Sequence, residues 1–406
     1  MCLANKPIVI LAHVPHAAIF EGFIPAACDK GYPVILLTDR YDLTITSIPD
    51  NTDATVWLCD VFNPLSVIAW LNERAIAPVA IFSNSDHLQT STSLVASWFE
   101  LPGKDWRICL SAKNKAEMRR RMAALGLPTP WNCRVLCDGP LPASIPFPVV
   151  AKPSEGVASI DVRRCDDLPS LEEFIEEMSA KGRSEILIER FLEGPLFSVE
   201  TLGDGVSLHT IGGFDVSLSP PPHFVELSAR WNGPVGRQYR EAAVAQIQRF
   251  GIGFGVCHSE FIATADGPVL VEINYRSVGD GDEFLLDRLT HGSWFSSILD
   301  LHLGRPLDEV IPRCVISATA ETIYLTADKS GYLRDASPSF TEEKEGTGSV
   351  WCWYQALRHS GEHIEITHSN KDYVGALHLI ARDESHLEYA RCDCLGRVHF
   401  SLSPAP

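Results

Sequence analysis

Four side chains in one short stretch have the types and spacing for phosphate and metal chemistry: Glu260, Glu272, Asn274 and Arg276. Residues 256–262 alternate in character as a strand does, Ala265-Asp266-Gly267 reads as a hairpin turn, and residues 268–274 read as the returning strand. Side chains in a strand repeat their direction every second residue. His258 and Glu260 therefore share one face of the first strand, and Glu272 and Asn274 share one face of the second. A hairpin can bring both carboxylates and the amide oxygen together. Such oxygen donors suit Mg²⁺, which is usually shared with substrate phosphates. Arg276 continues that face and can neutralise a phosphate oxygen. Taken alone, the same residues equally describe the solvent face of an ordinary hairpin, so the rest of the chain has to supply the other parts of such a site.

Two further segments offer phosphate-binding groups. Residues 146–153, PFPVVAKP, read as a strand closing on Lys152, an unusual place for an ammonium because an unpaired buried charge is costly. The small-residue loop 154–159, SEGVAS, follows; backbone N–H groups in such a loop can cradle phosphates, although a single glycine makes the signal weak by itself. Residues 111–125, SAKNKAEMRRRMAAL, read as one helix ended by Gly126. On an ordinary surface helix its Lys113, Lys115 and Arg119 face solvent. Ser83-Asn84-Ser85-Asp86 closes an earlier strand, where open sheets bind ligands, and equally fits a cap for the next helix.

Composition narrows the class. The chain has 406 residues, enough for two or three domains, and a formal net charge of −18. That balance argues against nucleic acid or an anionic membrane as the main partner, while leaving room for a local phosphate pocket. No secretory leader and no spanning segment is recognised, so a cytoplasmic location is expected. The twelve cysteines are scattered, and Cys392 and Cys394 have the wrong spacing for a zinc knuckle. Reduced, mostly buried thiols are the expectation.

The elements that must position these groups fall into three parts. Residues 1–108 alternate strand and helix and read as a Rossmann-like open sheet, without GxGxxG after the first strand and so without a dinucleotide. Residues 109–310, split near 185–192, are richer in antiparallel pairs: strands at 185–191, 197–202 and 206–210, an exposed Pro-rich loop at 219–223, a helix at 234–250, then the central hairpin. Residues 311–406 read as a small β-rich α+β domain, with strands at 315–325, 350–354, 363–367 and 373–380, a Gly- and Glu-rich stretch at 342–348, and a helix at 384–391.

These motifs together resemble the ATP-grasp carboxylate–amine ligases, especially the branch that joins amino acids. The resemblance covers roughly residues 111–304, and it implies an α/β and α+β ATP-grasp fold behind a Rossmann-like domain. It assigns Lys115, in NKAEMRRRMAALGLPTP, and Lys152, in FPVVAKPSEGVAS, to the nucleotide phosphates, and Gly156 and Ser159 to the mobile loop over them. Glu189 and Phe191 fall in the linker whose backbone reads the adenine edge. Glu260, Glu272 and Asn274 fall on the metal motif, the most specific of the set, and Arg276 on the group that stabilises the transferring phosphoryl. Three departures stand out. Leu196 occupies the place of the usual ribose-binding acid, with Glu193 as the nearby substitute. Ser159-Ile160-Asp161-Val162 replaces a Ser-x-Gly-Val loop. Tyr275-Arg276-Ser277-Val278-Gly279-Asp280-Gly281-Asp282 replaces a Pro-Arg start and glycine run. Asp280, Asp282 and Glu283 add negative charge there, which suits a cationic amine substrate or simply screens Arg288.

The implied activity is ATP-dependent amide formation through an acyl phosphate, with ATP and Mg²⁺ as cofactors and Mn²⁺ as the substitute metal. The partners are a small carboxylate, amino or hydroxy acid, and an amine; the sequence leaves the assembly open, a homodimer among the options. Glu200, His223, Glu226, Arg230 and Asp280 are substrate-pocket candidates, each equally readable as an ordinary sheet or loop polar residue. The stretch NYRSVGDGDEFLLDR resembles siderophore-biosynthesis members. Two alternatives remain open: a carboxylase- or purine-type enzyme of the same superfamily, and a nucleotide-binding regulator without catalysis.

Overall fold

The computed structural model describes residues 6–50, 52–156, 158–312, 318–344 and 350–403. The expected strand start at residues 315–317, residues 345–348 of the Gly- and Glu-rich stretch, and Val157 of the small-residue loop lie outside the described residues. At the N-terminus four parallel strands stand in the order Ala54–Leu58, Val34–Thr38, Ile8–Ala12, Ala80–Phe82. The Ile8–Ala12 strand is buried along its whole length, as a short apolar run in a covered parallel sheet must be. This is the open parallel sheet the sequence predicts.

A small antiparallel sheet follows, ordered Asn132–Leu136, Glu185–Arg190, Val149–Lys152, Arg163–Cys165. Its helix, Leu168–Ala180, starts on a capping box between Asp167 and Ser170 and buries Leu171, Phe174 and Met178 against the strands. The stretch predicted as one helix over 111–125 is two, Trp106–Lys113 and Lys115–Ala124. The break is Asn114. Its backbone is extended and its side-chain oxygen accepts from the N–H groups of Ala116 and Glu117, both at 3.1 Å. Asn is a strong N-cap, and here that preference overrides the helical run around it. The break is what aims Lys115 from a helix start.

The largest sheet runs from the central hairpin to the C-terminal strands. Gly267–Asn274, Phe254–Thr264, Leu196–Asp204, Phe214–Leu218 and Glu226–Trp231 are followed by Thr319–Thr326, Tyr373–Ala381, Val350–Ala356 and Phe340–Lys344. Ser228 pairs with Ile323 and Arg230 with Glu321, so the sheet passes without interruption from the hairpin half into the C-terminal strands. A three-stranded sheet, His363–Ile364, Gly331–Ala336 and Phe400–Ser403, packs beside it. Among the described residues no helix is long and apolar enough to cross a membrane.

Candidate functional site

The hairpin pairs His258 with Asn274 and Glu260 with Glu272. On its other side His258 pairs with Glu200 and Glu260 with Ser198 of the Leu196–Asp204 strand. All these residues therefore crowd one sheet face, which forms the floor of two adjoining cavities. Ser159, Leu196, Glu226, Glu260 and Glu272 line both.

The first cavity brings two ammonium groups, Lys115 and Lys152, to its wall. Lys115 reaches Glu272 Oε1 at 3.1 Å and the Gly156 carbonyl at 3.3 Å. One turn on, Arg119 is fully buried; it forms an ion pair with Glu189 and donates to the carbonyls of Leu270 (3.3 Å) and Val271 (2.8 Å). Lys152 pairs with the same Glu189. One carboxylate thus serves two cations. Burial opposes ionisation of Glu189, yet Arg119 and Lys152 hold its pKa down at about 2. Burial also lowers Lys152, because Arg119 and Lys115 offset what Glu189 gives back. Lys115 goes the other way: Glu272 outweighs its burial and raises it. Lys115 and Lys152 both reach the cavity wall, and two ammonium groups side by side suit a polyphosphate. Val150, Ile160, Val162, Phe191 and Phe224 give the rest of this cavity apolar walls fit for a flat base.

The second cavity is acidic. The hairpin floor meets His16 and Asn84 to His87 from the N-terminal sheet, Arg276, Asp280 and Asp282 after the hairpin, and Tyr324, Asn370 and Lys371 from the C-terminal strands. His258 sits between Glu200 (2.6 Å) and Glu260 (3.2 Å). Burial disfavours its charge, but these two carboxylates raise its pKa well above 6.5. Glu260 is in turn held below the usual carboxylate range by His258, Lys115 and Arg276, against the cost of its burial. Burial first, then Glu260 and Asp280, push Glu226 up to about 8. Enclosure in the cleft also raises Asp280. Asp280 and Gly281 both take left-handed backbone (φ 58° and 92°), and a Cβ on Gly281 would stand 2.6 Å from His378 Nε2, so only glycine fits that turn. Asp282 faces inward instead, accepting from Thr322 and from Tyr324 Oη (3.1 Å).

The shared floor also fits a hard cation. Among the described residues no group of three or more His, Cys, Asp or Glu side chains is set to hold a metal. Glu260 and Glu272 are directly paired across strands, and Asn274 donates its amide nitrogen to Glu260 at 3.3 Å. Two carboxylates and an amide are what Mg²⁺ takes when phosphate oxygens complete its shell, and they are too few for a metal cage made of protein alone.

Comparison with known proteins agrees with this architecture. Residues 112–280 match the ATP-grasp domain family. The crystal structure of an L-amino acid ligase from Bacillus licheniformis superposes with a TM-score of 0.79 at 19% identity, over 98% of this chain and 99% of that one. The fold is ATP-grasp. An uncharacterized protein, y4rH, from Sinorhizobium fredii is 30% identical over 268 residues, which is 62% of this chain and 54% of that protein. Dapdiamide A synthase from Enterobacter agglomerans is 26% identical over 175 residues, 40% of this chain and 41% of that enzyme. The chain thus spans about half the length of the curated relatives it matches. Phosphoribosylglycinamide synthetase from Anaerococcus prevotii shares the ATP-grasp fold as well, with a TM-score of 0.69 at 13% identity over 98% of this chain and all of that one.

Within the ATP-grasp frame, Lys115, Lys152, Gly156, Ser159, Glu189 and Phe191 all line the first cavity. Glu260 and Glu272 lie on the shared floor, while Asn274, Arg276 and Asp280 line the second cavity and Glu226 lines both. Four expectations need correction. Glu193 is exposed and lines neither cavity, so it does not stand in for a ribose-binding acid at Leu196. Glu200 lines neither, since it is fully buried behind His258 and accepts from Ser198 (2.9 Å). Arg230 lies on the opposite sheet face, beside Glu321 and Glu384. A bulge causes this: Leu218 pairs with Glu226 and Ser217 with Ser228, and the extra residue reverses the side-chain parity between Glu226 and Arg230. His223 stacks on His368 with ring centroids 4.1 Å apart, outside both cavity walls. The N–H groups of Arg190 and Phe191 already donate to Trp131 and Pro148 carbonyls, so base recognition falls on the other backbone groups of that linker. Asp161, where the resemblance expects glycine, holds the left-handed conformation (φ 57°) and pairs with Lys181 at 2.5 Å. Arg288 pairs with Glu343 and lines a different cavity, so Asp280 is not there to screen it.

The reading from sequence missed Arg119, His16, Tyr324, Asn370 and Lys371, whereas Asn84 to Asp86, offered as a ligand-binding strand end or a helix cap, do line the second cavity. Only Arg119 left a signal: at four residues past Lys115 it must share that residue's helix face.

Proposed function

We propose that this chain is an ATP-dependent ligase that joins a small amino or hydroxy acid, through its carboxylate, to an amine. The observation that carries it is the shared floor: the Glu260–Glu272 pair lies between a base-sized cavity that holds Lys115 and Lys152 and a second cavity with Arg276 at its edge. ATP fits the first cavity, with Lys115 and Lys152 on its phosphates and Phe191 and Phe224 beside the base. Glu260, Glu272 and Asn274 would hold Mg²⁺. That ion, when bound, neutralises charge on the β- and γ-phosphates. The carboxylate substrate attacks the γ-phosphorus and ADP leaves. Arg276 balances charge on the transferring group and then on the tetrahedral oxyanion that forms when the amine attacks the acyl phosphate. Phosphate departs and the amide remains. The loop at Gly156 and Ser159 shields the acyl phosphate from water.

The second cavity sets the substrate class. It encloses about 300 Å³, room for small molecules. Its carboxylates are Asp86, Glu226, Glu260, Glu272, Asp280 and Asp282, and the pKa of its His16 is lowered by desolvation in the cleft and by Arg276. An acidic wall favours an amine that carries a second positive charge and disfavours a phosphorylated or bicarbonate substrate, as a purine- or carboxylase-type enzyme requires. We place the product among small amide metabolites, siderophores included, in a cytoplasmic setting. Phosphate release from MgATP, measured over a panel of amino and hydroxy acids each paired with neutral and cationic amines and with bicarbonate, tests this. Release that needs both an acid and an amine, with amide in the products, supports the ligase; release that follows bicarbonate alone, or none at all, removes it.

A further inference from the structure

We propose that Asn370 is a positioning residue that holds the wall between the two cavities and so couples phosphoryl transfer to amide formation; the coupling rests on the ligase reading above. Of the five residues lining both cavities, Leu196, Glu260 and Glu272 stand inside paired strands. The other two need outside support. Glu226 sits at the bulge of its strand, and Ser159 belongs to the loop after Lys152.

Asn370 reaches both. Its Oδ1 accepts from the Glu226 N–H at 3.2 Å and its Nδ2 donates to Glu226 Oε1 at 3.1 Å. Its own backbone N–H donates to the carbonyl of Ala158 at 3.0 Å. Ala158 and Ser159 both hold left-handed backbone, φ 57° and 54°, which such residues keep only when their surroundings impose it. Tyr373 Oη completes the clasp by donating to the Glu226 carbonyl at 3.1 Å.

The turn that presents Asn370 is itself fixed. Ser369 and Asp372 form a reciprocal cap, and Asp372 Oδ1 also takes the Thr367 N–H (2.8 Å) and hydroxyl (2.7 Å). Arg358 donates to the Lys371 carbonyl at 2.6 Å, and the Ala327 N–H donates to the Asp372 carbonyl at 2.9 Å. Ser369 is fully buried and Asn370 nearly so. The turn is therefore a rigid post rather than a flap. An amide is the side chain this place requires. Glu226 already faces two other carboxylates, Glu260 and Asp280, and tolerates a donor where a third carboxylate would repel it. With the post in place, the wall keeps water from crossing between the cavities while the acyl phosphate waits for the amine.

Asn370→Ala removes both side-chain bonds. Asn370→Asp keeps the acceptor for the Glu226 N–H but sets a carboxylate against Glu226. Two readouts test the proposal. The first is phosphate released per amide formed, with MgATP and the most active acid–amine pair of the panel. The wild type should stay near one to one, Asn370→Ala should raise the ratio about threefold, and Asn370→Asp should raise it further, since each leaves a buried polar group unsatisfied. A turn with only a structural role would lower the melting temperature and leave the ratio unchanged. The second is hydrogen exchange with MgADP bound, which needs no ligase activity. Asn370→Ala should speed exchange about tenfold in the peptide covering 222–231, where Glu226 loses both side-chain bonds, and leave 256–264 unchanged, with a smaller change in 158–165 because the Asn370 N–H still donates to Ala158. If the wild type ligates but both readouts match it in the variants, the inference falls and the ligase stands. If no pair yields amide, the ligase reading falls, and unchanged exchange would then overturn the positioning role as well.

Discussion

The two cavities share a floor and differ in almost everything else. The first carries the ammonium groups of Lys115 and Lys152, with Arg119 buried behind Glu189, and it is built from two adjacent sheets and one helix start. The second is ringed by carboxylates and is assembled from all three parts of the chain, from His16 to Lys371. A polyphosphate is the same for every enzyme that uses it, so its site can be made from local motifs. The partner substrate varies, and its site is made where remote segments meet. The contrast gives an order of vulnerability: damage to the floor should stop chemistry, damage to the first cavity should weaken nucleotide binding, and loss of an acidic side chain from the wall of the second should change which amine is taken.

The floor should show the largest effect. Glu272→Ala and Asn274→Ala should each cut amine-dependent ATP turnover by about a thousandfold, because a metal held between phosphates contributes several kcal/mol to the transition state. Circular dichroism should report an intact fold. Full activity in either variant would remove that residue from the metal site, and full activity in both would erase the distinction between floor and walls.

Next comes the carboxylate that organises the first cavity. Glu189 has its pKa lowered from 4.5 to about 2 by Arg119 and Lys152. A depressed carboxylate contributes stability above its unfolded pKa and loses it as pH falls through the folded one. The window is therefore pH 4.5 down to 2, and the shift corresponds to about 3 kcal/mol. Thermal melts of Glu189→Gln should lie well below wild type at pH 7 and converge with it toward pH 2. A constant gap across that range would show that Glu189 is not the shared counter-ion. Lys152→Ala, smaller again, should weaken MgATP binding about tenfold to a hundredfold by titration calorimetry, since it removes a charge-assisted phosphate contact. Unchanged affinity would detach the first cavity from the nucleotide.

Much of the first cavity was legible because strand parity and helix period act over a few residues. Alternation alone put Glu260, Glu272 and Asn274 on one floor, and the register of the hairpin agrees. The same rule failed at Glu226 and Arg230, where the bulge opposite Leu218 inserts one residue and sends the arginine to the far face. It failed differently at Glu200, which has the right parity but lies beneath His258. Asn114 hid a helix start inside a helical run, and with it the buried place of Arg119. The parallel N-terminal sheet was plain from its apolar strands. That the C-terminal strands extend the central sheet was not, because no local pattern states that Ser228 pairs with Ile323. Asn370, Lys371 and Tyr324 enter the second cavity only through that pairing.

The smallest effect should fall on the wall of the second cavity, and it discriminates best between the two halves of the cleft. Asp280 opens onto the cavity, its left-handed turn fixed by the glycine after it, and no hydrogen-bonded partner for its side chain is found among the described residues. It stands close enough to Glu226 to disfavour ionisation of that carboxylate, after burial and Glu260, and is itself raised by burial and by Asp282. A cation placed near both would relieve that repulsion, whereas a neutral amine would not. Asp280→Asn keeps the shape and removes the charge. It should raise KM for a cationic amine about fivefold, in line with one partly solvated charge contact, and leave KM for MgATP unchanged. With a neutral amine the same variant should lose nothing. An equal loss for both amines would mean that Asp280 shapes the cavity without reading charge, and a change in KM for MgATP would mean that the two cavities do not act independently.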